Sequence, residues 1–182
     1  MADEIYEPTD FFGELLIAIQ KRIAEKVPEI KYSNIDIGQL EVYTLDSPSV
    51  DWPALLIDFP DATYDDLHGY EQSGDFNIVT RLGFNPFSQT SNLQPEEVRR
   101  NGLYYFELEQ KVVNAMHGWQ PLKPDGTPLC QPFSRRRVAT ERREEDAFRV
   151  RAIGFTSAYN DDGAAPARDT IEPEMNIETE EF

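Results

Sequence analysis

The stretch Asp75-Phe76-Asn77-Ile78-Val79-Thr80-Arg81-Leu82-Gly83-Phe84 decides the fold. Phe76, Ile78, Thr80, Leu82 and Phe84 fall on one side of an extended chain, with Asn77, Val79, Arg81 and Gly83 on the other. A period of two belongs to a strand, and an apolar side set against a mixed one predicts a sheet buried mainly on one face. Upstream, Pro53-Ala54-Leu55-Leu56-Ile57-Asp58-Phe59 follows the same pattern, with Leu55, Ile57 and Phe59 together and Pro53 marking the start. A further strand is predicted over Gln39–Leu45, where Leu40, Val42 and Thr44 alternate. Asp61–Asp75 is acidic and carries Gly69 and Gly74, which predicts a long hairpin loop.

Helices flank these strands. Phe12, Leu15, Leu16, Ile19, Ile23 and Val27 recur at spacings of three and four, which places them on one helical face. Thr9 or Asp10 caps that helix by accepting an orphan backbone N–H, and Pro28 stops it. A second helix is predicted from Pro95 to Gly118. Pro95 suits a first-turn position, Glu96 and Glu97 face the positive end of the helix dipole, and Gly118 ends the apolar stripe. Pro121–Pro132 holds four prolines and reads as an irregular loop. Residues 133–141 and 147–159 predict a closing hairpin, with a face change or bulge near Ala152. The fold class expected is therefore α+β, a mostly antiparallel sheet with two main helices packed on one face.

A length of 182 residues suits one domain. We expect a flexible acidic lead-in over 1–9, the domain over 10–160, and an acidic mobile tail over 161–182. Hydrophobic residues at 40% and charged residues at 28% match ordinary globular usage and exclude wholesale disorder. The acidic start lacks the basic opening of a secretory signal, and the most apolar run, Leu15 to Ile19, is far too short to span a bilayer. Synthesis in the cytoplasm and no membrane partner are expected. With a net charge of -17, the bulk surface is unsuited to binding phosphate polyanions, which is the work of Lys and Arg.

Chemistry-bearing motifs are sparse. His68 and His117 are the only histidines, and Cys130 is the only cysteine, so a disulfide within the chain and a cysteine-only zinc site are excluded. No phosphate-binding glycine loop or nucleophile elbow occurs. No catalytic residue, cofactor or metal is expected. His117 reads as a helix-ending residue, His68 as a solvated loop histidine, and Cys130 as a partly buried thiol. Asp58, Asp61, Asp65, Asp66, Glu71 and Asp75 raise a carboxylate metal-dependent hydrolase as an alternative of a different class. Their spacing fits a solvated acidic loop, or an acidic wall along a channel, better.

The main anomaly is basic. Arg135, Arg136, Arg137, Arg142, Arg143, Arg149 and Arg151 stand within seventeen positions, against four acids there. Only Phe133 and Phe148 offer stacking surfaces beside them, too few for a strong nucleic-acid signal. Self-association suits them better: a basic face on one copy meeting an acidic face on the next.

In its order of elements the sequence resembles the tail terminator, or tail-completion, proteins of tailed bacteriophages. The resemblance rests on the amphipathic first helix, the strand Pro53–Phe59, the strand Asp75–Leu82, the helix from Pro95 to Gly118, and the final Arg149-Val150-Arg151-Ala152-Ile153-Gly154-Phe155. It covers roughly residues 10–160 and lacks a signature motif. It implies a ring, commonly a hexamer, that caps the tail tube, ends its polymerisation and presents a surface for head joining. The partners implied are other copies of the chain, a tail tube protein and a head connector or neck protein. Genome DNA would pass through the ring without specific binding, and the protein would reside in the tail or neck of the virion. On this footing Arg135, Arg136, Arg137, Arg142 and Arg143 are candidates for the subunit or tube interface. Asp61, Asp65, Asp66 and Glu71 are candidates for an acidic lumen or for partners of those arginines. The alternative nearest in class is another neck or head-completion protein or an adaptor.

Overall fold

The computed structural model describes residues 10–40, 50–84, 90–141 and 149–163. Helix α1 spans Phe11–Lys26, and the Asp10 side chain accepts from the Gly13 N–H at 2.8 Å, so Asp10 is the cap. Strands β1 (Tyr32–Ile35), β2 (Ala54–Asp58), β3 (Ala62–His68) and β4 (Glu71–Phe84) follow. Helices α2 (Glu96–Gly102) and α3 (Tyr104–Met116) come next, then β5 (Ser134–Glu141) and β6 (Arg149–Asp161). The described strands form one sheet in the order β1-β2-β4-β6-β5, with β3 also paired to β4. All pairings are antiparallel except β1 with β2. The fold is α+β, as expected.

Strand β4 is the spine. Along one edge it pairs with β6 from Gln72↔Asp161 to Phe84↔Arg149 without a break. Along its other edge it pairs first with β3 and then with β2. Leu55 and Ile57, with Phe76, Ile78, Leu82, Ile153 and Phe155, meet Leu15, Ile19 and Ile23 of α1 and Leu108, Val112 and Met116 of α3. Both helices therefore cover one face. A smaller cluster of Leu40, Leu56 and Val150, with Tyr32 and Trp52 against it, lies on the opposite face.

Three expectations are corrected, and a fourth falls mostly outside the described residues. Asp61–Asp75 is not a loop: most of it is β3 and the start of β4, joined through Gly69 and Tyr70. Gly69 takes a φ of 62°, the positive value that a two-residue hairpin turn requires. Of the strand expected over Gln39–Leu45, Gln39 and Leu40 lie in a turn and residues 41–45 fall outside the described ones; Tyr32–Ile35 forms a strand that the alternation did not mark. The helix expected from Pro95 breaks at Leu103, because Asn101 and Gly102 are poor helix formers. No bulge occurs near Ala152. Val150 simply serves the small cluster while Ile153 and Phe155 serve the large one. The irregularity sits in β5, between Arg135 and Arg137.

Among the described residues no helix is long and apolar enough to cross a membrane. The lead-in over 1–9 and residues 164–182 of the expected tail lie outside them.

Candidate functional site

Among the described strands, β5 is one outer edge of the sheet and pairs with β6 alone. It carries Arg135, Arg136 and Arg137, all exposed. Arg135 pairs with Phe155 and Arg137 with Gly154, so Arg136 is the extra residue of a bulge. The Arg135 backbone N–H donates to His117 Nδ1 at 3.3 Å, tying this strand to the end of α3, where His117 is the cap. Among the described residues none of the three guanidinium groups has an ion-pair partner. Arg142 and Arg143 lie outside the described residues.

The remaining two members of the basic run turn inward. Arg151 forms a two-pronged pair with Glu109 of α3, at 2.7 and 3.0 Å. The Glu109 carboxylate holds its pKa above the ordinary guanidinium value. Arg149 lies over the Tyr105 ring, 4.4 Å from its centroid. Both fasten α3 to the sheet, so the basic run divides into a structural pair and an exposed edge.

The acidic candidates share the β3–β4 hairpin on the other side of the sheet. Asp65 and Asp66 are neighbours on β3 and so point to opposite faces; Asp65 pairs with Ser73 and Asp66 with Gln72. Glu71 opens β4 opposite His68, which is exposed. Asp61 lies at the base, where its carboxylate accepts from Asn77 Nδ2 at 2.9 Å. Past Ala62 every residue of β3 is exposed, including Tyr64 and Leu67. Among the described residues no three His, Cys, Asp or Glu side chains converge on a metal-sized site.

An ionic cluster that sequence reasoning missed joins three elements. Arg81 of β4 donates to Asp36 Oδ2 at 2.7 Å and to Glu141 Oε2 at 2.8 Å. Arg81 and Asp36 are about nine-tenths buried, with side-chain exposures of 11% and 9%. A single charge inside the apolar run Phe76–Phe84 was its signal in the sequence. Also missed was a shallow groove of about 610 Å³ at the α2–α3 junction, lined by Arg100, Asn101, Leu103, Tyr104 and Glu107. Cys130 is buried, and burial pushes its thiol up to about 11, against a hydrogen bond with Ser157 that works the other way. It is unsuited to nucleophilic work, which needs the thiolate.

No family model matches this sequence, and no curated protein matches it. In fold it is similar to a chain from a solved structure described as the virion of a native gene transfer agent particle. The TM-score is 0.50 at 10% identity, and the match covers 85% of this chain and 100% of that one. The likeness is one of fold.

Proposed function

We propose that this chain is a structural virion protein that forms a ring on the end of a tail tube, stops its polymerisation and offers the surface for head joining. One observation carries the virion assignment: the likeness of fold to a chain of a gene transfer agent particle, covering all of that chain. The capping role comes from the resemblance in element order to tail terminators. The work is geometric, with a ring of identical subunits matching the tube on one side and a connector or neck protein on the other.

The charge distribution suits such a part. A net charge of -17 repels DNA and lets it pass through a ring without sticking. Arg135, Arg136 and Arg137 serve subunit or tube contacts. Asp61, Asp65, Asp66 and Glu71 line the passage or meet arginines of a neighbour. A hexamer is the stoichiometry the resemblance favours.

The test is tube length in electron micrographs, with and without this chain, in a system producing its tail tube protein. Tubes that overgrow without the chain and regain a fixed length with it support capping. Tubes of normal length that fail to join heads would overturn capping in favour of a neck or adaptor role.

A further inference from the structure

We propose that copies of this chain join head to tail, the β3–β4 hairpin of one copy lying against strand β5 of the next. Asp65 on one face of the hairpin and Asp66 on the other, with Glu71 beside them, then meet Arg135, Arg136 and Arg137 across the two sheet edges. This names the subunit contact of the proposed ring and rests on that ring.

The two charged surfaces stand on opposite sides of the central pair β4 and β6. Crossing from β3 to β5 takes three strand spacings, about 14 Å. The surfaces are also displaced along the strands. β5 pairs with β6 between Val150 and Thr156, while the part of β4 that carries β3 pairs with β6 from Ser157 to Asp161. The hairpin therefore extends past the end of β5, away from its own arginines and in position to reach another copy.

Each surface lacks something the other supplies. Three adjacent exposed arginines have no counter-charge among the described residues, in a chain with twice as many acids as bases. The hairpin presents its acids beside exposed apolar side chains, Leu67 at 53% and Tyr70 at 62%. An apolar tip set among charges marks an interaction surface, and arginine packs well on aromatic faces. Because the two patches differ, the contact is heterologous and repeats around a ring. The bulge at Arg136 interrupts the outer edge of β5, which disfavours joining by a continuous sheet. Side chains make this contact.

The experiment is charge reversal read by light scattering after size exclusion at low salt, with the chain alone and with tube protein added. One variant carries R135E, R136E and R137E; a second carries D65K, D66K and E71K; a third carries all six. The positions are exposed, and circular dichroism melting confirms that each variant folds. We expect each three-residue reversal to raise the concentration for half-assembly by about tenfold or more, and the six-residue variant to recover it. A wild-type ring that neither reversal disturbs overturns this contact and leaves the ring standing. Loss in the arginine variant without loss in the hairpin variant also overturns it, because the arginines then meet another surface. A wild-type chain that stays monomeric even on tube ends overturns the ring and the contact together.

Discussion

The hydroxyls of Tyr64 and Tyr159 lie 3.0 Å apart, reaching across β4 from β3 and β6. Between them is Gly74, where an added Cβ would fall 2.7 Å from the Tyr159 ring and 3.0 Å from that of Tyr64. Phe11, the first residue of α1, stacks on Tyr159 at 3.6 Å with the rings 3° from parallel. The exposed hairpin is thus fastened to the first helix through one aromatic stack, and glycine at position 74 makes room for it.

Gly74→Ala should accordingly displace two rings and destabilise the protein by about 1–3 kcal/mol, the usual cost of overpacking. Tyr64→Phe removes one hydrogen bond and should cost about 1 kcal/mol or less. Urea unfolding of both variants checks the order, and equal effects would show that crowding at Gly74 is relieved cheaply.

Gly83→Ala should report on the other face. A Cβ there would fall 2.6 Å from Trp52 Cζ3, so the indole must leave its place beside Leu40 and Leu56. A red shift in tryptophan emission and a loss of about 1–3 kcal/mol are expected. Unshifted emission would show that the indole stays in place.

Arg81→Met should cost about 3 kcal/mol or more, because it leaves the buried Asp36 carboxylate without its guanidinium. Pairing it with Asp36→Asn should recover a large part of that loss. A double-mutant cycle measures the recovery, and simple additivity would show that the two residues do not support each other.

Cys130 gives a pH dependence with a definite sign. Its thiol titrates near 8.5 in an unfolded chain and at about 11 when folded. Between those values the unfolded state gives up the proton while the folded state retains it, so stability falls as pH rises. The contribution is full below the lower value and gone above the upper one, a change of about 3 kcal/mol. Urea midpoints at pH 8 and pH 10.5, compared between wild type and Cys130→Ala, isolate it. Alkylation of the native thiol at pH 8 should also be slow.

The parts of the fold that a one-dimensional pattern encodes were legible. The alternation of Phe76–Phe84 gave the C-terminal part of β4, and the spacing of Leu15, Ile19 and Ile23 gave α1. Strand β3 was hidden because it buries almost nothing, so its acids and tyrosine carry no alternation of polarity. β1 was hidden by its shortness, since Tyr32–Ile35 is held mainly by its parallel partner β2. The basic run was visible as composition but not as geometry. Arg149 and Arg151 lie on a strand that α3 covers, and only the register of β6 distinguishes them from the outward set on β5. Arg81 was visible as an oddity, but Asp36 and Glu141 are far from it in sequence.

The unbroken ladder between β4 and β6 has a mechanical consequence. β4 is 14 residues long, roughly 45 Å, and its hydrogen bonds to β6 run perpendicular to the strand direction. A pull on the hairpin along β4 loads that whole ladder in shear, all bonds sharing the force at once. A sideways pull on β5 instead opens its bonds to β6 one after another, like a zip. The subunit is thus stiff along the hairpin and yielding at its arginine edge, so a ring built from it would transmit tension through β4 and absorb distortion at its seams.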